Sequence, residues 1–307
     1  MTFLSVLSAF ILEHYLSWTR RDRWARPYLR WCTALRDLLD SGTTRHGVLA
    51  WLLAVGPVFL LAWLAHELCQ LGGPALPWIV DTVVLCAVVD FKSVSDHLAK
   101  VGAALRAGAV GEATAAIEAW EGRALPGEVD VPGLASRAIQ LALLDMHRWV
   151  LAPVLWFVIL PGSTGPLVYV AALAVQRCWS AQAGDGSQFA AFANRALRIL
   201  DWLPARMTAL SFAVVGNFEE SLYCWRNQTR AAPADDARVV LAAGAGAIGV
   251  HFEPSPALPF GVTNGDLGTG DYPGPEHLQN AEGLLARTLV FAVVLLGLLT
   301  LAGMIGI

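Results

Sequence analysis

Two stretches of this chain run uncharged for the thickness of a bilayer. Residues 47–65 (GVLAWLLAVGPVFLLAWLA) and 288–307 (TLVFAVVLLGLLTLAGMIGI) contain no Asp, Glu, Lys or Arg. A spanning helix needs about 20 largely apolar residues, and lipid admits only structures that satisfy their own backbone, helices above all. Composition agrees. Hydrophobic residues make up 56% of the 307 and charged residues 15%, whereas a soluble domain carries roughly a quarter charged. Twelve tryptophans suit helix ends at a membrane–water interface. The expectation is an all-α, polytopic integral membrane protein whose first partner is the lipid bilayer.

The other apolar runs are shorter or interrupted. Residues 77–91 are apolar apart from Asp81 and form, with 47–65, an expected helical hairpin turning at Leu71-Gly72-Gly73-Pro74. Residues 149–176 are uncharged except that PGSTGP (161–166) breaks them; two prolines and two glycines stop or kink a helix. Either two short helices make a re-entrant hairpin there, or one span is strongly broken. Residues 207–218 and 239–250 are too short to span alone and read as buried elements or partial insertions. The first run, 2–12, has neither the basic flank nor the small-residue cleavage site of a signal peptide.

Charge supplies orientation. Nineteen of the 21 basic residues are arginines, concentrated in 17–46, 92–148 and 177–238, while 66–78 has none. The positive-inside rule places the three basic regions in the cytoplasm. This predicts one membrane domain over 1–307, multi-pass in a bacterial inner membrane, with a cytoplasmic helical insertion at 92–148 and a cytoplasmic loop at 251–285. Leu98, Val101 and Leu105, then Ala115, Ile117 and Trp120, recur at helical spacing on either side of Ala-Gly-Ala-Val-Gly, which reads as a helical hairpin. No strongly basic face exists to serve nucleic acid.

Few motifs carry chemistry. The five scattered cysteines lack a C-x-x-C pair and fit packed, reduced thiols. Gly244-Ala245-Gly246-Ala247-Ile248-Gly249 matches G-x-G-x-x-G, but Pro254, Pro256 and Pro259 follow where a helix should open, so neither NAD nor FAD is expected; small residues at that spacing equally suit close helix packing. Asp81 is either a functional group at membrane depth or an interfacial residue near Trp78. Asp96 and His97 either cap a helix or orient a substrate. The densest constellation spans 201–226. Asp201 and Arg206 flank Pro204 in an expected turn, and Asn217, Glu219 and Glu220 precede Arg226. Arg206 and Arg226 would serve as forks for phosphate or carboxylate, or else anchor lipid headgroups.

At this block the sequence resembles the CobD/CbiB family, which makes adenosylcobinamide phosphate in cobalamin biosynthesis. The run DWLPARMTAL followed by Asn217-Phe218-Glu219-Glu220 looks like the family signature. Ser95-Asp96-His97-Leu98 with ALRAGAVGEATAAI resembles its cytoplasmic hairpin, and Ala152-Pro153 with Trp156 its helix start. The segments AGAGAIGV and PEHLQNAEGLLARTLV resemble its last helices. Other positions depart. Where the family has a Glu-Asn pair this chain reads Leu144-Asp145-Met146-His147-Arg148-Trp149; an expected Arg-Asp-Thr turn is Glu121-Gly122-Arg123; and an Asn-x-x-Asp step is Ala174-Val175-Gln176-Arg177. The N-terminal half is similar in style to AmpE, a membrane relative not known for a reaction. The resemblance implies a ligase joining a phosphorylated amino alcohol to a corrinoid carboxylate with ATP and Mg²⁺. Asp201, Arg206, Asn217, Arg226, Asp96 and His97 are then the substrate-binding candidates. The AmpE side implies a non-catalytic membrane protein that binds a ligand or partner.

Overall fold

The structure, a computed structural model, describes residues 2–15, 21–73, 75–125, 127, 129–182, 188–229, 236–253 and 266–305. Among these, the order is α1 (Thr2–Tyr15), α2 (Arg21–Leu39), α3 (Thr44–Leu71), α4 (Ala75–Val88), α5 (Phe91–Arg106), α6 (Val110–Glu121) and α7 (Val131–Met146). A π-helical turn (His147–Leu151) leads into α8 (Ala152–Ile159), then α9 (Thr164–Gln182), α10 (Gln188–Val215), α11 (Phe218–Gln228) and α12 (Asp236–Ile248). Strands β1 (His251–Phe252) and β2 (Leu267–Gly268) pair antiparallel before α13 (Pro275–Ile305). The architecture is all-α, of the membrane class. Among the described residues, three helices are long and apolar enough to cross a bilayer: Thr44–Leu71, Val131–Ile159 and Pro275–Gly303.

The chain divides into two compact units, Met1–Asp90 with Ala152–Leu203, and Phe91–Leu151 with Pro204–Ile307. In the first, α2 is strongly amphipathic and turns Tyr28, Cys32, Leu35 and Leu39 inward at helical spacing. They meet Ala54 and Val55 of α3, Val175 and Trp179 of α9, and Phe189 at the start of α10. The Trp179 indole, wholly buried, donates to the Cys32 carbonyl at 3.0 Å. The expected α3–α4 hairpin forms; Gly73, at φ +89°, takes the backbone into the left-handed region that glycine favours. Asp81 is buried, and its Oδ1 accepts from the Ser163 backbone N–H at 2.9 Å, just ahead of α9. The polar residue in an apolar helix thus ties α4 to the α8–α9 turn. Glu13 is buried as well.

The second unit holds the α5–α6 hairpin, packed on α7 and α13, and the α11–α12 pair. Two expected boundaries are corrected here. The hairpin expected over 149–176 forms as α8 and α9, which pack together across the break at 160–163, but the helix entering it starts earlier than 149: Val131–Ile159 is one long helix through the π turn, and only its far end is apolar enough to look separate. Residues 251–285 do not form one loop: β1 and β2 pair, and α13 begins at Pro275, although 254–265 lies outside the described residues. The G-x-G-x-x-G glycines serve close helix packing, one of the two readings their spacing allowed. Gly244 and Gly246 lie inside α12, where a Cβ on Gly246 would come 2.6 Å from the Glu220 carbonyl oxygen of α11. They let two helix backbones approach.

Candidate functional site

α5, α6 and α7 together fix one imidazole. His97 lies in the middle of α5, so it and Asp96 are not the helix cap their sequence suggested. A carbonyl only accepts, so His97 Nδ1–H donates to the Ser93 carbonyl at 2.7 Å, and the neutral ring keeps its lone pair on Nε2. The ring stacks on Trp120 of α6, centroids 5.1 Å apart and planes 13° apart. The Trp120 indole in turn donates to Asp145 Oδ2 of α7 at 2.9 Å. Asp96, beside this stack, is exposed.

The end of α6 is held by charge. Glu121 receives a bidentate fork from Arg137 of α7, through Nε and Nη2, and a further bond from Arg123 at 2.9 Å. Burial pushes its carboxyl up, but the hydrogen bonds and charges of Arg137 and Arg123 outweigh it and hold the group below the usual glutamate range. Gly122 ends α6 in the left-handed conformation, φ 72°. The Glu-Gly-Arg that replaces the family-style turn is therefore a structural clasp.

Arg206, in the same unit, sits inside α10 and not in a turn, because Pro204 is accommodated within that helix. Its Nη1 donates to Asp236 Oδ1, the first residue of α12, at 2.7 Å. Nearby, buried His147 and Thr208 share a hydrogen bond of 3.0 Å. Asn217 is the N-cap of α11, accepting from the Glu220 N–H at 3.2 Å. Arg226 is exposed on the outer face of α11, where it lines an open groove of about 450 Å³ with Glu219, Leu222, Tyr223 and Asn227. One helix supplies all of that lining, so the groove cannot enclose a ligand. On the other face of α11, Gln228 pairs its side-chain amide with both the N–H and the carbonyl of Gly268, and Glu220 accepts from Thr269. This side-chain clamp fixes β2.

Asp201 belongs to the first unit. It is buried and accepts from the Tyr169 hydroxyl at 2.7 Å. Of the six candidates, Asp96 and His97 adjoin in sequence at the α5–α6–α7 stack, while Arg206, Asn217 and Arg226 lie along α10 and α11. Sequence reasoning missed Trp120, Asp145, Asp236 and Gln228, whose side chains have hydrogen-bond partners 25, 25, 30 and 40 residues away. Only Asp145 had a signal, as the polar residue replacing an expected Glu-Asn pair.

The sequence pattern of the family described as CobD/Cbib protein matches residues 6–285. The chain belongs to the CobD/CbiB family. The match includes the N-terminal half that the sequence likened to AmpE. A "Cobalamin biosynthesis protein CobD" of Stutzerimonas stutzeri is 30% identical over 96% of this chain and 97% of its own length. A protein of the same description from Chromobacterium violaceum is 31% identical over 67% of this chain and 64% of its own. One from Rhodobacter capsulatus is 25% identical over 83% and 82%. No solved structure matches the chain.

Among the described residues there is no protein-built cage for Mg²⁺. No three His, Cys, Asp or Glu side chains converge among the described residues. Asp145, Asp201, Asp236, Glu121 and Glu220 are each engaged by another side chain of this protein.

Proposed function

We propose that this protein is the amide ligase of its family, joining a phosphorylated amino alcohol to a corrinoid carboxylate at the cytoplasmic face of a bacterial inner membrane. What carries the reading is the end-to-end similarity to the Stutzerimonas cobalamin biosynthesis protein, 97% of whose length is covered. The geometry supports it at two places. His97 offers an Nε2 lone pair in a ring held by the Ser93 carbonyl and by the Trp120 stack, suited to accept from a substrate ammonium. Arg206 and Arg226 supply cationic forks on α10 and α11 for phosphate or carboxylate. Family-level activity with ATP would place the amine and the activated carboxyl together, which is chiefly a matter of orientation.

The test is complementation. A strain lacking its own cobinamide-phosphate synthase should grow on cobyric acid when this chain is expressed. Arg206→Ala should abolish rescue, and Arg206→Lys should reduce it at least tenfold at equal membrane abundance, because an ammonium cannot reproduce a guanidinium fork. Absence of rescue by well-expressed parent protein would sink the ligase reading. It would leave the AmpE-like, ligand-binding one, which the internally engaged carboxylates favour.

A further inference from the structure

We propose that Asp145 is a positioning residue for His97: through the Trp120 indole, its negative charge steadies the imidazolium that forms when Nε2 takes a proton from the substrate ammonium. This role rests on His97 being the acceptor for the amine, as in the ligase reading. Three helices of one unit supply the series, α5 the imidazole, α6 the indole and α7 the carboxylate. The indole N–H donates to Asp145 Oδ2 at 2.9 Å, and the imidazole lies over the ring, centroids 5.1 Å apart and planes 13° apart. Because Nδ1–H is committed to the Ser93 carbonyl, Nε2 is the nitrogen left to meet a ligand.

The charge on Asp145 exceeds what the indole requires. The side chain is half-buried, and among the described residues its one hydrogen-bond partner is the neutral indole, with no cation beside it. Taking a carboxylate partly out of water costs free energy that one neutral donor only partly offsets. An asparagine carbonyl would accept the same N–H at lower cost. The imidazole is the group placed to use the charge. A hydrogen bond to an ionised acceptor is strong and polarises its donor, and the electronegative face of an indole attracts a cation within about 6 Å of its centroid. A neutral imidazole gains little from this, whereas an imidazolium sits on the enriched face with a carboxylate bonded to the ring's edge. The proton transfer balances: R–NH₃⁺ gives one proton to Nε2 and becomes a neutral amine whose lone pair can form the amide bond, and the imidazolium afterwards releases that proton to water. The ionisable groups beside His97 on α5, Asp96 and Lys100, are exposed, where water and salt screen them. On the packed helices, Glu121 is clasped by Arg137, Glu118 accepts from the Leu125 N–H, and Glu282 of α13 accepts from the Ser95 hydroxyl.

The experiment uses the full chain in detergent micelles. Asp145→Asn keeps an acceptor for the indole but no charge; Trp120→Phe keeps an aromatic face but no N–H. Carbon-13 histidine NMR reads the share of His97 carrying both ring protons at about pH 6.5, its signal identified by its loss in His97→Gln. That share should fall at least threefold in either variant and no further in the two combined. It should hold in Glu112→Gln, which removes an exposed charge from α6. An unchanged share in Asp145→Asn would overturn the role. So would effects of the two variants that multiply, since Asp145 would then not act through Trp120.

Amide formation from a phosphorylated amino alcohol, assayed with ATP, is the second readout. Asp145→Asn should lower kcat at least fivefold at pH 7 with KM within twofold. The deficit should shrink toward pH 9.5, because alkylammonium groups lose their proton near about 10.4 and more of the amine is then neutral beforehand. A deficit constant with pH would overturn the role by making Asp145 merely structural. A parent chain that forms no amide but shows the threefold fall at His97 would end the ligase reading and keep the stack as a proton-accepting unit.

Discussion

Glu121 shows what a single residue contributes when its partners come from two directions. Arg123 reaches it from the following turn and Arg137 from α7, so one carboxylate closes the connection between α6 and α7. A carboxyl held below its ordinary value stabilises the fold fully above the unfolded glutamate value, about 4.3, and loses that contribution as pH falls through its own lower value. The thermal midpoint in detergent should therefore fall between pH 5 and pH 3, at the acid end of that range. Glu121→Gln should lower the midpoint at pH 7 and flatten its acid limb; an unchanged acid limb would show that Glu121 is not the group responsible. Asn217 and Asp201 teach the complementary lesson. Both stood out as polar residues in the signature block, and each has a structural partner, the Glu220 N–H and the Tyr169 hydroxyl.

Among the elements, the α11–α12 pair depends on a missing side chain. Gly246 faces the backbone of Glu220 and Ser221, and Ser221 sends its hydroxyl to the Ala243 carbonyl at 2.9 Å. A methyl group at 246 would press on backbone, which cannot rotate aside. Gly246→Ala should cost about 1–3 kcal/mol, the usual cost of overpacking. Gly111→Ala, on α6 with nothing within 4 Å of its Cβ, should be neutral or stabilise by about 0.4–1 kcal/mol. Thermal unfolding of the two variants side by side checks this. Equal midpoints would mean that α11 and α12 do not pack at Gly246 as closely as described. The α5–α6–α7 stack is organised differently, by an imidazole, an indole and a carboxylate in series.

For the molecule as a whole, three apolar helices long enough to cross a bilayer predict behaviour that no surface-bound protein shares. The protein should stay in the membrane pellet through alkaline carbonate and high salt, and enter solution only with detergent. Release by carbonate would remove the integral reading. Apolar side chains such as Leu61 and Leu71 of α3 and Leu298 of α13 are left exposed, as lipid-facing positions require.

The sequence by itself determined the class of protein, the α3–α4 and α5–α6 hairpins and the family resemblance. Each rests on local order: uncharged runs of bilayer length, glycines at turns, and a short signature of consecutive residues. Tertiary structure alone decided what the charged residues do. Pro204 looked like a turn because proline lacks an N–H; within α10 it is tolerated, the Trp156 indole supplying a donor for the carbonyl it leaves open. Asp201 and Arg206 looked like a shared site because they lie five residues apart. Their partners, Tyr169 and Asp236, are 32 and 30 residues away. Such pairings leave no mark in a sequence window, because a side chain's electrostatic environment is set by whatever the fold brings within about 4 Å.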